Sequence, residues 1–83
     1  MNVAPIKAKI VEYLKRHGLT KKFSKQLILL QSDFRHPSLH TELLEPKERD
    51  LRSFRISQSY RAIFFYDPES KIIKILAVTN HYQ

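Results

Sequence analysis

The sequence predicts an α+β domain: a helical hairpin packed on an antiparallel β-meander of about three strands. Three observations carry this. Apolar residues recur at helical spacing through the first third of the chain. Apolar and polar residues alternate through the last third, where β-branched and aromatic side chains are dense. Between them the periodicity disappears, across "DFRHPSLHTELLEP", where Pro37 and Pro46 oppose any regular helix.

In the first helix, expected over residues 5–17, Ile6, Ile10 and Leu14 form one stripe and Lys7, Lys9, Lys15 and Arg16 lie elsewhere. Pro5 suits its first turn. Gly18, the only glycine, falls where a left-handed cap is wanted. Thr20 is a suitable N-cap for a second helix over 21–32, lined by Phe23, Leu27 and Leu30. Strands follow at 52–57 ("RSFRIS"), 60–66 ("YRAIFFY") and 72–78 ("IIKILAV"), with "DPESK" turning between the last two. The last strand is expected to end near Thr79.

Strand parity fixes a register. With Phe54 opposite Ala62 and Ile56 opposite Tyr60, one face carries Phe54, Ile56, Tyr60, Ala62, Phe64 and Tyr66 and covers the helices. Arg55 and Arg61 then share the other, open face with Ile63 and Phe65. A slip of one residue would bury an arginine in the core, which opposes the alternative.

Eighty-three residues make one small domain, spanning 1–83. No apolar run reaches membrane length and the N-terminus does not read as a signal peptide, so a cytoplasmic protein without membrane association is expected. With no cysteine there is neither a disulfide nor a thiolate zinc site. His36 and His40 have a helical metal-ligand spacing, but Pro37 separates them and no further ligand is placed, so no metal or cofactor is expected. Fifteen Lys and Arg against eight Asp and Glu give +7. That charge favours a polyanion such as nucleic acid; an acidic protein or a merely solvated basic surface would also satisfy it.

The basic hairpin, "HPSLHTELLEP", "SFRISQSYRAIFFY" and the terminal "NHY" together resemble the RelE/ParE superfamily of bacterial toxins, and within it the RelE/YoeB-type messenger-RNA endonucleases. The resemblance runs over about residues 5–82. "SYRAIFFY" and the terminal "HY" are its most specific parts. Relatives normally open on a β-strand; only Met1 to Ala4 precede Pro5 here, so that strand is expected to be short or missing. The resemblance implies the toxin of a type II toxin–antitoxin module, acting on messenger RNA in the ribosomal A site and neutralised by a cognate acidic antitoxin. It points to Arg61, His81, Tyr82 and Glu42 as catalytic residues, and to Arg55 as an RNA contact; Arg52 and Lys47 are expected as further RNA contacts. ParE-type members instead inhibit DNA gyrase and generally lack the terminal "HY". A non-catalytic antitoxin-binding remnant is a third reading.

RNA carries its own nucleophile, the 2′-hydroxyl. Glu42 would remove its proton and His81 would protonate the leaving oxygen. Arg61 would stabilise charge gathering on the phosphate, and Tyr82 would stack on a base or orient the phosphate. Each has a plainer reading. Glu42 would be a solvated loop carboxylate, Arg61 one half of an edge ion pair, His81 a frayed end and Tyr82 an anchor for the tail.

Overall fold

The computed structural model describes residues 1–80. The chain runs β1 (Asn2–Val3), α1 (Ala8–Arg16), α2 (Thr20–Ser32), a 3₁₀ turn (Pro37–Leu39), β2 (Glu42–Leu43), a second 3₁₀ turn (Lys47–Arg49), β3 (Leu51–Arg55), β4 (Tyr60–Asp67) and β5 (Ile72–Asn80). The strands make one sheet in the order β1-β5-β4-β3-β2. β1 is parallel to β5 and the other pairs are antiparallel. The expected meander is therefore β3-β4-β5, and a two-residue strand extends it at each edge. The first strand is short but present. β2 was not expected, because two residues are too few to display alternation.

Helix α1 starts later than its apolar spacing suggests. Proline disfavours helical geometry in the residue before it, and the Ala4 N–H donates to the Ile73 carbonyl at 2.9 Å, prolonging the pairing with β5. The chain stays extended as far as Lys7 (φ −60°, ψ 142°), so Pro5 and Ile6 lie outside the helix. Its far end is closed by a paired hydrogen-bond cap. Gly18 takes φ +66°, its N–H donates to the Lys15 carbonyl at 3.1 Å, and the Leu19 N–H donates to the Leu14 carbonyl at 2.8 Å. Leu19 is thereby drawn into the core and also caps α2. The link is one residue too tight for Thr20 to be the cap, and Thr20 is instead the first residue of α2.

The register is the expected one: Phe54 pairs with Ala62, and Ile56 donates its N–H to the Tyr60 carbonyl at 2.9 Å, although β3 itself ends at Arg55. Phe54, Ile56, Ala62 and Phe64 are buried under the helices, with Tyr60 and Tyr66 packed at the margin. Between β4 and β5 the register shifts, Ile63 pairing with Ala77 but Phe64 with Ile75. Leu76 is the extra residue of this bulge. Strict alternation from Val78 would aim Leu76 and Lys74 at the helices; the bulge turns Ile75 and Ile73 inward instead, and leaves Leu76 exposed. From α2, Gln26 reaches under the sheet edge. Its Nε2 donates to the Ser38 carbonyl at 3.1 Å and to the Arg55 carbonyl at 2.8 Å. One buried amide thus ties a helix, the 3₁₀ turn and β3 together.

Candidate active site

The face of the sheet away from the helices carries the arginine pair. Arg55 and Arg61 are direct cross-strand partners. Like charges in that position destabilise a sheet, so the pairing calls for an anion. Ser53 precedes Arg55 by two residues and shares its face; Glu42 is the cross-strand partner of Ser53. The short β2, with Glu42 exposed on it, therefore delivers a carboxylate to the same face as both arginines.

Arg61 is not on an open surface as the strand pattern suggested. It is only 6% exposed and Ser53 only 2%. Its Nε donates to Ser53 Oγ at 2.9 Å. Its Nη2 donates to the His40 carbonyl and, more loosely, to the Ser53 carbonyl at 3.4 Å. His40 adopts the left-handed conformation (φ 46°) where the 3₁₀ turn ends, and the chain entering β2 closes over the guanidinium. The cost of burying the charge is met by three acceptors. Among the described residues, Nη1 has no protein partner, and no side-chain nitrogen is buried without one. Nε and Nη2 are held by protein acceptors, and among the described residues Nη1 is the nitrogen of the fork that could meet a ligand.

Burial pushes the Arg61 pKa down, the Glu42 carboxylate raises it, and Arg55 lowers it. The group remains protonated under any physiological condition. Glu42 is thus close enough to be felt, yet the two form no ion pair; among the described residues the one ion pair joins Arg52 to Asp50, at 2.6 Å. The arginine charge is oriented but not neutralised, which suits it to meet a phosphate.

The structure gathers Glu42, Arg55 and Arg61. It does not bring Arg52 or Lys47 to them. Arg52 alternates to the helix side of β3, and Lys47 is exposed on the second 3₁₀ turn. His81 and Tyr82 lie outside the described residues. β5 is described to Asn80, one residue past Thr79, and Thr79 is the cross-strand partner of Arg61. Two positioning groups escape sequence reasoning, Ser53 and the His40 carbonyl. Ser53 has a signal, since it shares the face of Arg55; a backbone carbonyl has none.

No family model matches the sequence, and no curated protein matches it. Solved structures do match. A YoeB/ParE toxin from Agrobacterium tumefaciens is 14% identical with a TM-score of 0.76, over 99% of this chain and 100% of its own. A YoeB-YefM complex from Staphylococcus aureus is 20% identical with a TM-score of 0.72, over 99% and 98%. A YoeB dimer from Staphylococcus aureus is 22% identical with a TM-score of 0.64, over 98% and 94%. At these identities the likeness is one of fold, and it spans both edge strands, the hairpin and the meander. The chain has the RelE/YoeB-type toxin fold.

Proposed function

We propose that the chain is the toxin of a type II toxin–antitoxin pair and a metal-independent endonuclease of messenger RNA on the ribosome. The observation that carries the reading is the in-register Arg55–Arg61 pair beside Glu42, with Arg61 held through Nε and Nη2 by Ser53 and His40 and Nη1 without a partner among the described residues. A preorganised cation pair beside an exposed carboxylate fits a phosphodiester whose 2′-hydroxyl is to be deprotonated. In the proposed step Glu42 takes the 2′ proton and the 2′ oxygen bonds to phosphorus. The bond to the 5′ oxygen breaks, and His81 supplies its proton. Arg61 stabilises the charge on the non-bridging oxygens and Tyr82 orients the substrate. The products are a 2′,3′-cyclic phosphate and a 5′-hydroxyl.

The similar Staphylococcus aureus complex contains YefM, which supports an antitoxin partner here, and the +7 charge favours an acidic one. The Agrobacterium tumefaciens structure is named for ParE as well as YoeB, so gyrase inhibition is the reading to test against. Purified protein is assayed for cleavage of a translated message and for inhibition of DNA supercoiling. Cleavage with cyclic-phosphate ends supports the nuclease; inhibited supercoiling with intact message overturns it.

A further inference from the structure

On the other side of the sheet, at its β2 edge, lies a cleft of about 380 Å³ lined by Phe34, Arg35, His36, His40, Leu43 and Arg52. It does not contain Arg61. We infer that this cleft is a second nucleotide subsite, taking the phosphate and base of an RNA nucleotide that flanks the one held at Arg61. The inference rests on the nuclease reading in that its ligand is the same strand of RNA.

The polar lining is made of cations and donors, and no carboxylate lines it. Among the described residues Arg35 forms no ion pair, and Arg52 gives Nη1 to Asp50 while the rest of its fork is uncommitted. His36 Nδ1 accepts from the Ser38 N–H at 3.2 Å and meets the Ser38 hydroxyl at 3.0 Å. In the neutral ring the proton then sits on Nε2, which makes His36 a further donor. A concave site offering donors and few acceptors selects an anion, and planar guanidiniums suit phosphate oxygens. The apolar part of the lining, Phe34 and Leu43, suits a base. The volume falls in the range of small-ligand sites, about 300–1,000 Å³.

His40 connects the two sites. Its carbonyl holds Arg61 on one face of the sheet while the residue lines the cleft on the other. The edge between them is formed by β2, a strand only two residues long, next to β3 in the sheet. A single strand crossing that edge would lay one phosphate at Arg61 and a neighbouring nucleotide in the cleft. Lys47 and Arg52, which the outer face does not collect, are then accounted for differently: Arg52 serves the cleft, and Lys47 has no role in it.

The test titrates adenosine 5′-monophosphate, and separately inorganic phosphate, into the full chain carrying Glu42→Gln, followed by amide NMR. The nucleotide is expected to shift residues 35–41 and Arg52 more than inorganic phosphate does. Equal shifts from both would mark a plain anion site and overturn the nucleotide assignment. A short single-stranded oligoribonucleotide is then compared with a dinucleotide. Arg35→Glu is expected to weaken the oligonucleotide about tenfold, to leave the dinucleotide unchanged, and to lower the salt slope by about 0.7. Unchanged oligonucleotide affinity overturns the cleft while message cleavage by the parent leaves the nuclease standing. Cleft binding by a chain that cuts no message does the reverse. Loss of antitoxin binding alone in Arg35→Glu would make the cleft a protein interface and overturn the inference.

Discussion

Arg61 is a hydrogen-bonded part of the fold and, in the proposed step, the group that meets the phosphate, so its variants must be read for both. Replacing it with alanine leaves the Ser53 hydroxyl and two carbonyls without their donor, so Arg61→Ala is expected to lose about 1–3 kcal/mol of stability. It should also cut message about 10²–10³ more slowly. Urea unfolding beside the cleavage assay separates the two effects. Arg61→Lys should rescue neither fully, since an ammonium cannot span the same acceptors while presenting a fork to phosphate. Glu42 is exposed and makes no ion pair among the described residues, so Glu42→Gln should fold like the parent and lose about 10²–10⁴ in rate. The arginine was legible in the sequence because a cation in so apolar a strand needs a reason. Its burial was not, because the residues that roof it come from an aperiodic loop. Gln26 was hidden for a different reason: it occupies the core side of α2, but as a polar residue it adds nothing to an apolar stripe.

The elements were legible where they are long and patterned. Parity alone aligned Phe54 with Ala62, because a slip would have sent an arginine under the helices. Parity does not carry through β5, where the bulge at Leu76 exchanges odd for even positions and no local residue announces it. The helix link was half legible. Gly18 was placed by its conformational freedom, whereas the cap it forms displaced Thr20. Gly18→Ala meets nothing within 4 Å, so its cost is that of the left-handed backbone alone. That is about 1–2 kcal/mol, read as a fall in Tm of roughly 4–8 °C per kcal/mol. At the β4–β5 turn the Ser70 hydroxyl and the Glu69 N–H hold the Asp67 carboxyl below the usual carboxylate range. A depressed folded pKa stabilises above the unfolded value, near 4 for an aspartate. That contribution is lost as the pH falls through the folded value. Stability should therefore drop in this acid window, and Asp67→Asn should flatten the dependence; urea midpoints across the window check it.

At the scale of the molecule, a small core and a charge of +7 make partners decisive. Ligand linkage should raise Tm in the presence of a saturating acidic antitoxin, as differential scanning fluorimetry would record, and an unchanged Tm would remove that partner from the account. Affinity for RNA or ribosomes should fall steeply with salt if lysines and arginines meet phosphates, whereas a flat dependence favours a protein target. Among the described residues no helix is long and apolar enough to cross a membrane. The central claim is that Glu42, Arg61 and His81 cut RNA. The most direct measurement is end-group analysis of a message translated with the parent, Glu42→Gln or His81→Ala, each first matched to the parent by circular dichroism. The account predicts fragments with 2′,3′-cyclic phosphate and 5′-hydroxyl ends from the parent, reduced about 10²–10⁴ in both variants. Intact message with the folded parent, or equal cutting by all three, would contradict it.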